Sequence, residues 1–288
     1  MNRIENIILR HSKRGMLKLC PYLPADFCYQ AANEIASWER GNVLLTTGFY
    51  VAGYPETDGP AGTAALALVL KKMGFRPIIV TEQVYAELFT IRDLEVLPVA
   101  VSTSINDFRQ LILRYHPAGM IAVERCGSNA EGDYTNMRGV SIASYTAAID
   151  LMFQIANEYA IHTVGIGDGG NEIGMGVLAE EIESELGFKP CTVAVDYLVI
   201  ATVSNWGAYG VASYLAMFAE KEIFPDYEWI AKYLAETVAI GSVDGITHER
   251  ITHVDDFDES FEQEIVDALS KEIKTSISFG NKKLYGGI

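Results

Sequence analysis

The sequence lacks any long apolar run. Its longest stretches, AALALVL (Ala64 to Leu70) and YLVIATV (Tyr197 to Val203), fall far short of the roughly 20 residues that a membrane helix needs. The opening stretch MNRIENIILRHSKRGMLKL breaks its apolar residues with charge every few positions. That excludes the unbroken core of a secretory signal, and a cytoplasmic location is expected. Cysteine is scarce: Cys20, Cys28, Cys126 and Cys191 are scattered with no C-x-x-C pair, which argues against a disulfide framework and a structural zinc site. Cys126 reads as a small buried residue. Positive charge is scarce as well. The 22 Lys and Arg face 38 Asp and Glu, for a net charge of -16, and such a surface repels nucleic acid and anionic membranes. The five histidines show no H-E-x-x-H spacing, no G-x-S-x-G marks a serine hydrolase, and no lysine follows a glycine loop as in a P-loop.

What is present is an alternation of strand and helix patterns. NVLLTTGF (42–49), RPIIVT (76–81), LEVLPVA (94–100), AGMIAVE (118–124) and IHTVGIGD (161–168) read as buried strands, with one or two more in CTVAVDYLVIAT (191–202). Between them lie helical patterns, including 59–75, 82–92, 104–116, 205–218 and a long one over 140–160. This order implies an α/β fold: a doubly wound, mostly parallel sheet with helices on both faces. Residues 1–288 are expected to form a single domain, with a helical N-terminal segment (1–40) and an acidic, loop-rich C-terminal segment (241–288) carrying one helix and packed on the same domain.

In such sheets ligands bind beyond the carboxyl ends of the strands. Four strand-end loops here are chemically loaded: GYPETDGPAGT, ERCGSNAEGDYTNMRG, GDGGNEIGMG and SNWGAYG. The third belongs to GIGDGGNEIGMG, in which Gly165, Gly167 and Gly170 satisfy the G-x-G-x-x-G of a dinucleotide turn. Yet Asp168 and Glu172 stand where a pyrophosphate would lie, and like charges a few ångströms apart repel by on the order of 1 to 4 kcal/mol. No nicotinamide or flavin is therefore expected. A hard divalent cation resolves the conflict, since it prefers oxygen ligands; Asp168, Asn171 and Glu172 offer them, and Glu56 and Asp58 repeat the pattern before the first helix of the sheet. Magnesium or manganese suits this set best, with calcium as a further candidate. Alternatively Asp58, Asp168 and Asn171 serve as helix caps. Glu124 ends a strand and Asn136 lies in the loop after it. Arg125 and Arg138 are the only cations in these loops, so one of them reads as a clamp for a substrate carboxylate. Asn205 reads as either a ligand contact or a cap. The run VDDFDE (254–259) reads first as a solvated acidic loop and alternatively as a source of further ligands.

Taken in order, ETDGPAGTAAL, ERCG and GDYTNMRG, GIGDGGNEIGMG, SNWGAYG and GSVDGIT resemble the D-glutamate cyclase family over roughly Gly41 to Thr247, and RHSKRG resembles that family's opening segment. With no transit segment evident, the chain reads as a short prokaryotic-type member. It departs from the pattern at Val254-Asp255-Asp256, where Asp256 replaces an expected glycine. The resemblance implies a hydro-lyase that cyclises D-glutamate to 5-oxo-D-proline and water. In that reading Glu56, Asp58, Asp168, Asn171 and Glu172 hold a divalent metal, with Asp168 and Glu172 also catalytic. Glu124 removes the ammonium proton, and Arg125, Arg138, Asn136, Asn205, Gly169 and Gly170 bind substrate. The expected partner is that small molecule, with no nucleic acid or membrane, and a homo-oligomer is compatible with it. Two other classes remain open at this point: a magnesium-dependent phosphoryl-transfer or phosphohydrolase enzyme, and a non-enzymatic sensor of an acidic amino acid or cation.

Overall fold

A computed structural model describes residues 2–51 and 53–278. Six strands form one sheet: β1 (Asn42–Gly48), β2 (Arg76–Glu82), β3 (Glu95–Val99), β4 (Gly119–Arg125), β5 (His162–Gly167) and β6 (Tyr197–Ile200). Every pairing is parallel and the spatial order is β3-β2-β1-β4-β5-β6. Burial on both faces explains why β1, β4 and β5 are continuous apolar runs and not alternating ones. The helices are α1 (Arg3–Ile8), α2 (Met16–Leu19), α3 (Phe27–Ser37), α4 (Pro60–Lys72), α5 (Gln83–Thr90), α6 (Ile105–Tyr115), α7 (Asp150–Gln154), α8 (Ala179–Leu186), α9 (Ser204–Phe218), α10 (Tyr227–Ile240) and α11 (Glu259–Ser278). They flank the sheet, giving the doubly wound α/β architecture that the alternating pattern implies. No helix among the described residues is long and apolar enough to cross a membrane.

The chain winds outward from β1 to β3, then returns to lay β4, β5 and β6 on the other side. The reversal falls between β1 and β4, so the loops after these strands splay apart at their carboxyl ends and open a crevice. Helices α4 and α9 pack against each other beside it. A Cβ on Gly62 would stand 2.7 Å from the Asn205 Cα and 2.8 Å from the Ala208 Cβ, so the bare glycine sets their close approach.

Two local expectations change. The pattern over 140–160 does not form one helix but breaks into 3-10 turns at Ala143–Tyr145 and Ala156–Tyr159 around the short α7. The backbone at Ala147 is engaged elsewhere: its N–H donates to Glu82 Oε1 at 2.6 Å and its carbonyl accepts from Arg125 Nη2 at 2.7 Å, leaving neither for a helical ladder. Towards the C-terminus, α11 is longer than expected, with 20 residues, and packs against α1, α9 and α10.

Candidate active site

The strand-end loops converge. One carboxylate oxygen from each of Asp58, Glu124 and Asp168 lies within 4.8 Å of the other two, and all three residues are buried. Asp58 follows β1, Glu124 lies near the end of β4 and Asp168 follows β5. Glu124 owes its direction to a bulge. Pairing between β1 and β4 slips from Thr47–Val123 to Gly48–Arg125, and Glu124 is left unpaired in the left-handed region at φ +44. Such a conformation costs a non-glycine residue on the order of 1 to 3 kcal/mol and recurs at functional sites. Ser204 Oγ, at the start of α9, donates to Glu124 Oε2 at 2.5 Å.

Around this triad stand Glu56, Glu172 and Asp255, all buried. Burial, reinforced by neighbouring carboxylates, pushes Glu56 and Glu124 well above the ordinary carboxylate range. Asp168 rises for the same first reason although Arg14 opposes it. Asp58 is pushed up to about 8 by burial and Asp255, against hydrogen bonds from the Ser204 and Asn205 amides. Buried acids this crowded call for a counter-charge. Oxygen donors within that spacing suit a hard divalent cation, whose ligands lie at about 2.0 to 2.6 Å. Asp168 Oδ2, which has no hydrogen-bond partner among the described residues, leaves a lone pair that such a cation could take.

The glycine motif works differently from a dinucleotide turn. The Gly169 and Gly170 amides donate to Glu172 Oε1 and Oε2 at 2.9 and 2.6 Å. Glu172 thus occupies the donors that a pyrophosphate would require, and burial still raises its pKa. Gly170 adopts φ +117, and Gly165 has no room for a side chain, since a Cβ would sit 2.6 Å from the Ile173 carbonyl. Asn171 donates Nδ2 to the Thr135 carbonyl at 2.8 Å, leaving Oδ1 without a partner among the described residues.

Of the two expected clamps, Arg125 faces away from the crevice. Its guanidinium is buried and fork-paired to Glu82, with both contacts at 2.6 Å. Sequence could not reveal this because the partner is 43 positions away. Arg138 is exposed beside the cavity and has no ion-pair partner among the described residues. Asn205 is not aimed at a ligand: it caps α4, accepting from the Gly59 and Gly62 amides at 3.0 and 2.6 Å. Asp58 reciprocates at α9, accepting from the Ser204 and Asn205 amides at 2.9 and 2.8 Å. Asn136 organises its own turn through the Arg138 and Val140 amides.

Three participants escaped sequence reasoning. Arg14, from the N-terminal segment, reaches Asp168 Oδ1 at 2.6 Å and Asp255 Oδ1 at 2.5 Å. Burial works against its charge, but Asp168 and Asp255 outweigh that and hold its pKa above the ordinary value. Asp255 is no solvated loop residue but buried at the site; two residues before it, the His253 carbonyl accepts from the Thr57 hydroxyl at 2.7 Å, tying this segment to the loop after β1. Ser204 is the third. Asp256, where glycine is expected, keeps a left-handed backbone at φ +63, with its amide held by Asp244 Oδ1 at 3.0 Å.

A cavity of about 350 Å³ opens beside the triad, within the range of small-molecule sites. Glu124 is the triad member that lines it, together with Arg14, Glu56, Arg138, Asn171 and Asp255. Tyr50 and Tyr145, stacked with centroids 4.5 Å apart, form another part of its wall.

Comparison with known proteins identifies the family. A family model described as "D-glutamate cyclase-like, C-terminal" matches residues 4–270. A human protein named "D-glutamate cyclase, mitochondrial" is 30% identical over a region covering 65% of this chain and 34% of that protein, so the chain spans about a third of that relative's length. A solved actinorhodin polyketide ketoreductase variant with NADPH aligns at TM-score 0.28 and 11% identity, covering 71% of this chain and 67% of that one, a likeness too low to bear on fold or function.

Proposed function

Because the chain belongs to the D-glutamate cyclase-like family, we propose that it closes D-glutamate into 5-oxo-D-proline and releases water, using a divalent cation held by Asp58, Glu124 and Asp168. The observation that carries this reading is the buried triad itself, with Glu124 facing a cavity of small-molecule size. Magnesium or manganese fits an all-oxygen set of this kind.

The chemistry sets clear demands. The substrate's amine nitrogen bonds to its own γ-carbon, and one C–O bond of the γ-carboxylate breaks. The ammonium loses two protons to become a ring N–H, and the departing oxygen takes both away as water. A bound divalent cation would supply charge withdrawal from the γ-carboxylate and stabilisation of the developing oxyanion. The chain's own groups do the rest. Glu124 borders both the triad and the cavity, and Ser204 fixes its orientation. With a cation beside it Glu124 would be ionised, and from the cavity wall it is placed to take a proton from the amine and return it to the leaving oxygen. Arg138, exposed beside the cavity without an ion-pair partner, serves as the clamp for the α-carboxylate. The enclosing walls hold the substrate folded, amine against γ-carbon, which lowers the barrier for ring closure.

A chiral assay with D- and L-glutamate and manganese tests this function. One 5-oxo-D-proline formed per D-glutamate lost is the expected result, with the L isomer consumed far more slowly. Turnover of neither isomer would overturn the reading.

A further inference from the structure

Six carboxylates surround the site, and five have a visible counterpart. Asp58 accepts from the Ser204 and Asn205 amides, Glu124 accepts from the Ser204 hydroxyl, and Asp168 pairs with Arg14. Glu172 is held by the Gly169 and Gly170 amides, and Asp255 Oδ1 pairs with Arg14. Glu56 is the remainder. It is 6% exposed, lies outside the triad, and its carboxylate makes no hydrogen bond or ion pair among the described residues, Oε1 being buried without a partner. A buried oxygen acceptor without a donor is costly, and an occupant of the cavity that carries N–H or O–H donors would satisfy it.

Two more orphaned acceptors line the same cavity: Asp255 Oδ2 and Asn171 Oδ1. Glu56 and Asp255 are neighbours across Gly245, whose hypothetical Cβ would stand 2.7 Å from Glu56 Oε2 and 3.4 Å from Asp255 Oδ1. We propose that Glu56, Asp255 and Asn171 form a subsite for the substrate's primary ammonium group, three oxygen acceptors meeting its three N–H donors. This rests on reading the cavity as the substrate site. The chemistry favours an ammonium over a second metal: among the described residues no third carboxylate groups with Glu56 and Asp255 at ligand spacing, whereas one ammonium offers a donor to each acceptor. The subsite would also orient the amine for attack.

The test reads affinity, not turnover. D-Aspartate and succinate are the same dicarboxylate with and without an amine, and D-aspartate would have to close a strained four-membered ring, so it binds without reacting. Each is titrated calorimetrically, with manganese present, into wild type and into Glu56→Gln and Asp255→Asn. Wild type is expected to prefer D-aspartate by about 10- to 100-fold, the worth of hydrogen bonds to a charged group. Both variants should lose most of that preference while succinate and manganese affinities stay within about threefold. Melting curves check that the variants fold, and Glu56→Gln, which breaks no hydrogen bond of the Glu56 side chain, should melt no lower than wild type. The proposal is overturned by equal affinities in wild type, including no binding of either probe. It is also overturned by a preference that survives Glu56→Gln, or by a fall in manganese affinity in that variant, which would make Glu56 a cation ligand. Failure of the cyclase reading is scored separately, as absence of 5-oxo-D-proline from D-glutamate.

Discussion

At Glu124 a bulge, a left-handed backbone and a buried triad meet in one residue. Glu124→Gln keeps the shape and the bond from Ser204 but can no longer accept a proton. We expect kcat to fall by about 10²- to 10⁴-fold with the melting temperature unchanged or raised; near wild-type turnover in this variant would remove Glu124 from the reaction. The surrounding acids make a second prediction. Burial raises the folded-state pKa of Glu56, Asp58, Glu124, Asp168 and Glu172, Asp58 to about 8. Groups raised on folding stabilise the protein while protonated and lose that contribution as pH rises through the folded values. Chelator-treated protein should therefore melt progressively lower as pH rises from 6 to 9, and manganese should reverse the loss most strongly at the alkaline end. A melting temperature independent of pH and manganese over that range would contradict this account of the cluster.

Among the elements, the reciprocal caps between α4 and α9 place the triad's Asp58. Asn205 holds the amides that open α4 and Asp58 those that open α9, so the two N-termini are tied across the crevice. Gly62→Ala would force the helices apart at a 2.7 Å contact with backbone. It should cost about 1 to 3 kcal/mol by denaturant unfolding and lower activity through Asp58; a neutral effect would show that the helices yield freely. The Arg125–Glu82 pair locks the end of β4 to the end of β2. Burial alone would raise Glu82, but the Arg125 charge and its hydrogen bonds outweigh that and hold Glu82 below the usual carboxylate value. A depressed acid stabilises above its unfolded pKa, and that contribution is lost as pH falls through the folded one. Arg125→Met, which strands the Glu82 charge, should destabilise by about 3 to 5 kcal/mol near neutrality, with the difference from wild type shrinking in acid.

Across the whole molecule, the parallel sheet was legible because continuous buried runs alternate with helical periods, and the strand ends named the rim where Asp58, Glu124 and Asp168 meet. What sequence could not supply was pairing at a distance. Arg125 looked free because Glu82 is remote in the chain, and Arg14 and Asp255 looked peripheral because only the packed termini carry them inward. Local polar residues misled in the same way: Asn205 and Glu172 spend their side chains on backbone amides, a use that spacing alone does not distinguish from ligand binding. The opening puzzle of carboxylates in a glycine turn has a structural answer. Glu172 fills the turn's amides, while Asp168 joins two acids from other strands to make a set suited to a cation.

The measurement that tests this account most directly is 5-oxo-D-proline formation from D-glutamate by protein stripped of metal and then resupplied with manganese or magnesium. The account predicts that stripping abolishes product and resupply restores it, with Asp168→Asn inactive under both conditions. Full activity in rigorously stripped protein would contradict it.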